Sequence, residues 1–294
     1  MNGMPQNQHY LPQSYLRQWC DETSFLILYR RRASPPKLVA DCKSPKGIGF
    51  EVNLYALPDG GRANDRRANE IESMLGKDVD EKVGDIAARA ATCSGEFDDD
   101  ALVCDLAWLM RTFIARNPRK LKEVEAGVSE LVEEHRAQID HFLSIARTDA
   151  MRQELLALKS EKMPLVAARA ALVATVETKQ PLIARWLDGG VHLLQAQEFA
   201  GELAAIGASE FVTFDEPIVS WDTNESRVEH SFALSPRTLV VIAERGASLT
   251  RAQFAALVVD HSLNPIPHRQ SIISRTKATG RLLAEAERLR PANW

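Results

Sequence analysis

Thr238-Leu-Val-Val-Ile-Ala243 follows a threonine with five apolar residues and no alternation of polar and apolar positions. A strand of that kind buries both faces, which places it in the interior of a sheet. Working outward, His230 to Leu234 reads as another strand. Glu210 to Phe214 and Ile218 to Trp221 read as two more, flanking Asp215-Glu216-Pro217, and His192-Leu-Leu-Gln-Ala196 reads as a further one. Two helices are expected after the central strand, about Thr250–Leu263 and His268–Leu289.

The other end of the chain also leans to β structure. Pro12 followed by Tyr15, Leu16 and Trp19 suggests a short helix with proline in its first turn. Phe25-Leu-Ile-Leu-Tyr29 reads as a buried strand ending at Arg30, Arg31 and Arg32, broken by Ser34-Pro35-Pro36, with Lys37 to Ala40 as its hairpin partner. Phe50 to Leu57 reads as a strand closed by Pro58-Asp59-Gly60-Gly61.

Between these regions, from about Arg67 to Leu187, the period becomes helical. Ile71, Leu75 and Val79 share one face, and Val83, Ile86 and Ala90 continue it after a phase shift. Asp98 to Asp100 suit the start of a helix carrying Leu102, Leu106, Leu109 and Phe113 and ending near Pro118. A charged helix over about Arg119–Arg147 carries the stripe Val124, Val128, Leu131, Ile139, Phe142 and Ile145. Two or three more helices run on through Trp186 to Asp188-Gly189-Gly190, and a bundle is the economical packing for the series.

The expected class is α+β, mainly helical. Strands from both ends (about 1–66 and 190–246) form one mixed or antiparallel sheet around an inserted bundle (about 67–188), with C-terminal helices at about 250–289, all in one domain over 1–294. Segregated runs of strands and helices disfavour a doubly wound sheet.

Composition bounds function loosely. Formal net charge is −4, against the basic surface of a dedicated nucleic-acid coat. Cys20, Cys42, Cys93 and Cys104 have no C-x-x-C spacing, so they read as scattered reduced thiols in a cytoplasmic protein. The polar N-terminus has no secretory pattern, and the most apolar stretch, Leu165 to Val176, is short and interrupted by Arg169, so no membrane contact is expected.

Gln8-His-Tyr-Leu-Pro-Gln-Ser-Tyr-Leu-Arg-Gln-Trp19 is similar to the opening of a bacterial family, domain of unknown function 4238, whose members look like H-Y-x-P-x-x-Y-L-R followed by an aromatic residue. Glu51-Val-Asn-Leu-Tyr55, Phe211-Val-Thr-Phe-Asp-Glu-Pro217 and Leu234-Ser-Pro236 fit the same resemblance in order and spacing. Phe214 and Glu216 depart from the Thr-Ser-Asp-Asn-Pro form of the family, while Asp215 and Pro217 stay in place. The resemblance implies no established activity; it marks residues.

His9 and Asp215 are the candidate catalytic residues. A neutral imidazole suits a general base or a metal ligand, although His9 could equally lock the arm by hydrogen bonding. A carboxylate at a strand end can shift its pKa when buried, and an Asx turn is the structural alternative. Arg17, Arg116, His268 and Arg269 are candidates for holding an anionic substrate, with salt bridges as their alternative. Glu70, Glu72, Asp78, Asp80 and Glu81 are not spaced as a metal cage and read as a solvated acidic face. Asp41-Cys-Lys43 and Glu177-Thr-Lys179 have the D/E-x-K form of some metal-dependent nucleases, a tripeptide that arises readily by chance. Gly47-Ile-Gly49 lacks the third glycine of a dinucleotide loop, and nucleophile-elbow, Walker and H-E-x-x-H patterns are missing.

Three readings follow: a hydrolase acting on a phosphodiester of nucleic acid, with arginine or a divalent metal assisting; a non-catalytic module that docks a partner protein of a bacterial defence or toxin system; and a binder of an anionic small ligand or nucleotide. Cofactor and oligomeric state are left open.

Overall fold

A computed structural model describes residues 7–32, 37–55, 70–93, 95–96, 99–160, 163–177, 190–221, 227–244 and 246–292. Strand β1 (Asn7–His9) leads to Pro12, whose φ of −55° starts helix α1 (Gln13–Arg17). Tyr15, Leu16 and Trp19 are fully buried. Strands β2 (Leu26–Arg32) and β3 (Lys37–Lys43) form the expected hairpin, in register from Leu26 opposite Lys43 to Arg32 opposite Lys37. Of the strand expected over 50–57, Phe50–Val52 form β4, which pairs with β1, the described residues 53–55 turn away from it, and residues 56 and 57 lie outside the described residues. Asn53 then turns the chain with φ +57°, a conformation asparagine tolerates. The breaks at Ser34–Pro36 and Pro58–Gly61 lie outside the described residues.

Residues 70–75 are helical and run through a π turn, Gly76–Asp80, into α2 (Glu81–Ala91). That turn is the phase shift of the sequence. Its wider winding absorbs an extra residue, so Ile71, Leu75 and Val79 bury on the same core as Val83, Ile86 and Ala90. Asp99 caps α3 (Asp100–Ala115) by accepting from the Leu102 amide at 2.9 Å. Asn117 caps α4 (Pro118–Glu134), which has Pro118 in its first turn.

The helix expected over 119–147 is two helices. It breaks at His135, and α5 (Arg136–Ile145) follows, then α6 (Asp149–Leu158) and α7 (Met163–Glu177). The apolar stripe does not pack as expected either. Ile139 alone of its six residues is buried, and among the described residues the central core has no member between Leu121 and Ala168. Helix α7 packs on α3 and α4, whereas α5 and α6 pack on each other. Trp186 and Asp188-Gly189 lie outside the described residues.

The later strands are β6 (Val191–Gln195), β7 (Thr213–Phe214), β8 (Ile218–Ser220), β9 (Val228–Ser235) and β10 (Thr238–Ala243). The unbroken apolar strand β10 is central, as its composition requires. The first five-stranded sheet has the order β5 (Gly95–Glu96), β6, β10, β9, β8, all antiparallel. Alternation along β9 aims Phe232 at Phe113 of α3, with ring centroids 6.4 Å apart. It aims Ser231 at His261 of helix α9 (Arg251–Leu263), 2.8 Å away, so helices cover both faces. Helix α8 (Ala200–Ile206) packs beside α9.

The helix expected over 268–289 is corrected to strand β11 (Ser271–Ser274) and the short helix α10 (Gly280–Ala286). Ile272 and Ile273 are adjacent and both fully buried, which a central strand accommodates on its two faces. The second sheet runs β12 (Pro291–Ala292), β2, β11, β7, with β3 on β2; its β12–β2 pair is parallel and the rest are antiparallel.

N- and C-terminal strands thus share this second sheet, while β6 and β8–β10 build the first. The chain changes sheet at Asp215-Glu216-Pro217, between β7 and β8, where Pro217 has no amide to extend a ladder. The fold is α+β and mainly helical. Among the described residues, no helix is long and apolar enough to cross a membrane.

Candidate functional site

The N-terminal arm is clasped along its backbone. The carbonyl of Gly49 accepts from the amides of Tyr10 and Leu11, at 2.8 and 3.0 Å. Gln8 Oε1 accepts from the Tyr55 amide at 2.7 Å. His9 is held at both ends. Its amide donates to Glu72 Oε1 at 3.3 Å, and its carbonyl accepts from Tyr55 Oη at 3.2 Å and Arg116 Nη2 at 2.5 Å. The imidazole lies edge-on to Phe50, centroids 5.6 Å apart, with Gln13 Nε2 3.5 Å from its Nε2.

Arg116, from the end of α3, is completely buried and reaches Asp80 Oδ1 at 2.9 Å with its other nitrogen. Burial opposes its charge, but Tyr55 and Asp80 outweigh that and hold its pKa above the ordinary value. Asp80 ends the π turn, so the irregular winding that keeps Val79 in the core also presents the partner of Arg116.

His9, Gln13, Ser14, Arg17, Glu72, Asp80 and Glu81 line one pocket of about 250 Å³. Burial lowers the pKa of His9, Arg116 lowers it further, and the backbone of Lys46 and the charge of Asp80 oppose both. Burial raises the pKa of Glu72 against the pull of Arg116 and of the His9 amide. Two lining atoms, Ser14 Oγ and Glu72 Oε2, are buried with no hydrogen-bond partner among the described residues. Arg17 is exposed at the rim, and no ion pair engages it among the described residues.

A second charged cluster gathers around Asp215 and Glu216. Asp215 Oδ1 accepts from the amides of Gln270 and Ser271, at 3.1 and 3.0 Å, and so joins the turn between the sheets to the start of β11. Burial pushes the Asp215 carboxyl up to about 6, with Glu216 adding to the rise and the two amides and Arg269 opposing it. Arg269 is buried, donating to Glu216 Oε2 at 2.6 Å and the Ile218 carbonyl at 3.1 Å. Arg119 reaches the same Glu216 oxygen at 2.9 Å. Tyr10, next to His9 in the chain, lies within electrostatic reach of this cluster: burial raises its phenol pKa, and Asp215, Glu51 and Glu216 add to the rise.

The sequence candidates therefore separate into two groups. His9, Arg17 and Arg116 meet at the pocket, with Arg116 beneath it. Asp215 and Arg269 meet in the second cluster, and His268 is exposed beside them in the chain. The His9 ring and the Asp215 carboxylate share no contact in the described structure.

Glu72 was not singled out by sequence, and the acidic run is no uniform solvated face, since Glu72 and Asp80 turn inward to His9 and Arg116. Its signal was positional: Glu72 follows the core residue Ile71 and precedes Leu75 by three, so it flanks the buried stripe. Asp41 pairs with Arg30 at 2.8 Å, Glu177 ends α7, and Thr178 and Lys179 lie outside the described residues. Among the described residues, no three His, Cys, Asp or Glu side chains are grouped to hold a metal ion.

The fold and site define a mainly helical α+β protein with a polar pocket beneath a clasped N-terminal arm. The chain belongs to the family described as protein of unknown function (DUF4238), whose model matches residues 7–249. No curated protein and no solved structure matches the chain.

Proposed function

We propose that this protein hydrolyses phosphodiester bonds, with His9 as general base, Glu72 as general acid and Arg17 holding the phosphate at the pocket rim. One arrangement supports the reading: two groups whose protonation burial shifts in opposite directions line the same pocket. A lowered imidazole is neutral near pH 7 and can take a proton. A raised carboxyl keeps its proton to higher pH, and Glu72 Oε2, buried and unpartnered among the described residues, is the oxygen that would carry it.

In the step, the His9 ring takes a proton from the attacking water as the new P–O bond forms. The bond to the leaving alcohol breaks, and its oxygen receives the proton of Glu72. Solvent then returns the proton from His9 to Glu72. Arg17 is spared an ion pair among the described residues, and its fork matches two phosphate oxygens. In this reading Arg116 and Tyr55 position His9 through its carbonyl, and Asp215 braces the sheet junction.

The test is cleavage by the purified chain of end-labelled RNA and DNA strands and of bis(p-nitrophenyl) phosphate. General acid–base catalysis contributes about 10²–10⁴-fold per group, so His9→Asn and Glu72→Gln should each lower the rate by at least about 100-fold while the protein stays folded. A wild-type chain inert towards all three substrates contradicts the reading.

A further inference from the structure

We propose that the β2–β3 hairpin and Lys46 form a track for the backbone of a single-stranded nucleic acid, leading its phosphodiesters to the pocket at His9. The track rests on the phosphodiester reading of that pocket for its direction, and on its own charges for its existence. Strand pairing puts Arg30, Arg32, Lys37 and Lys43 on one face of the hairpin. Leu26 and Leu28 of that face belong to the core, and the charges stand beyond them, on the outer strand and at the far end of β2. From Lys37 to Lys43 the strand covers roughly 20 Å, at about 3.3 Å per residue. Lys46 follows, exposed, and its backbone meets the His9 ring. Its turn, Pro45–Gly47, packs on α1, the helix that carries Arg17 to the pocket rim.

The pairing itself calls for an anion. Arg32 and Lys37 are directly opposite each other, and like charges in that position destabilise a sheet unless something neutralises them. Arg30 is satisfied by Asp41 at 2.8 Å, but Arg32, Lys37, Lys43 and Lys46 have no ion pair among the described residues. Lysines also keep an edge strand from pairing with another chain, and β3 is an edge. That role does not account for Arg32, whose strand is paired on both sides, nor for Lys46, which lies past the strand.

The surrounding charge has the same sign. Residues 17–52 carry seven Lys and Arg against four Asp and Glu, a net +3, in a chain whose net charge is −4, so the remainder carries −7. Of those four acids, Asp41 is held by Arg30, and Asp21 accepts from the amides of Thr23 and Phe25 at 2.9 and 3.2 Å. The segment that packs beside β2, residues 280–292, adds three arginines against two glutamates. A local basic surface on an acidic chain concentrates a polyanion at one place. Phe25 distinguishes which polyanion. It is 45 % exposed and directly precedes Leu26, the residue opposite Lys43. A line of cations with an aromatic ring beside it suits a single strand, whose bases are free to stack, whereas a duplex keeps its bases paired.

The experiment is fluorescence anisotropy of a labelled single strand with the full-length chain carrying His9→Asn, which keeps the strand whole, beside the same chain with Arg32→Gln, Lys37→Gln and Lys43→Gln added. Each phosphate contact to a single strand contributes about 0.7 to the slope of log affinity against log salt, so the three substitutions should lower that slope by about 2 and weaken binding at least about 10-fold. Phe25→Ala should weaken binding about 10-fold with the slope unchanged. Should the triple variant misfold by circular dichroism, Arg32→Gln with Lys46→Gln decides instead, with the slope expected to fall by more than about 1. An unchanged slope overturns the track, and so does a chain that binds phosphatidylserine vesicles but not the strand. Binding is read without cleavage, so the two claims fail separately. Track-dependent binding by a chain inert in the cleavage assay sinks the catalytic reading and leaves the binding surface. Cleavage by a chain whose binding ignores the substitutions sinks the track and leaves the catalytic reading.

Discussion

The hydroxyl of Tyr15 lies 2.6 Å from Thr213 Oγ1, a residue 198 positions later, and donates to the Ala233 carbonyl at 2.7 Å. A phenol has one proton, so Thr213 must donate to Tyr15. One side chain of α1 thereby ties β7 of the second sheet to β9 of the first. Phe211 donates its amide to the Pro236 carbonyl at 2.9 Å, and Tyr55 is bonded to Gln8 and His9. The four segments that resemble the family thus meet in the fold through these bonds. Tyr15→Phe strands a buried hydroxyl and a carbonyl, and chemical denaturation should show a loss of about 2 kcal/mol. An unchanged midpoint would show that the clasp contributes nothing.

Arg116 is the buried charge that fixes His9. Replacing it with Met leaves Asp80 without its cation and the His9 carbonyl with Tyr55 alone. Removing one member of a buried pair costs about 3–5 kcal/mol, so the melting temperature of Arg116→Met should fall sharply. Arg116→Lys retains the charge but cannot reach both acceptors, and it should fall between Met and wild type.

Gly49 has φ +68°, and a Cβ there would stand 2.7 Å from the Cβ of Leu11. Gly49→Ala should therefore cost about 1–3 kcal/mol and loosen the arm that carries His9. Gly47→Ala is the control, because its added carbon meets nothing closer than 3.9 Å. Equal effects at the two positions would contradict the close approach.

Asp215 gives a pH signature of opposite sign to a salt-bridged carboxylate. Its pKa rises from 3.8 to about 6 on folding, so between those values the folded chain holds a proton that the unfolded chain has released. Its contribution to stability is full below about pH 4 and is lost as pH rises through about 6. Asp215→Asn keeps the acceptor for Gln270 and Ser271 and removes the buried charge. The variant should be more stable than wild type at pH 8 by on the order of 2 kcal/mol, with the advantage gone near pH 4. A variant less stable at both pH values would show that attraction to Arg269 outweighs burial.

Where periodicity met a physical requirement, the sequence was a reliable guide. The unbroken β10 is central, Pro12 starts α1, the Asp98–Asp100 run supplies the Asp99 cap, and the broken phase at Val79 is a π turn. Ser271-Ile-Ile-Ser274 misled because a four-residue buried strand has too few positions to show a period, and the helix-forming residues after it dominated the window. The stripe on α4 and α5 was read as core because amphipathicity records that a face is apolar, not what covers it. At the site, His9 and Arg17 stand in one motif and were legible together. Glu72 reaches His9 from 63 residues away, through a backbone contact that no sequence pattern encodes.

The central claim is that His9 and Glu72 work as base and acid in one pocket, and the pH dependence of phosphodiester cleavage by wild type and Glu72→Gln tests it most directly. The account predicts a bell whose acid limb lies below the ordinary imidazole value of 6.5 and whose alkaline limb lies above the ordinary carboxyl value of 4.5, with the alkaline limb lost in Glu72→Gln. A folded Glu72→Gln variant with the wild-type rate and the wild-type profile would contradict it.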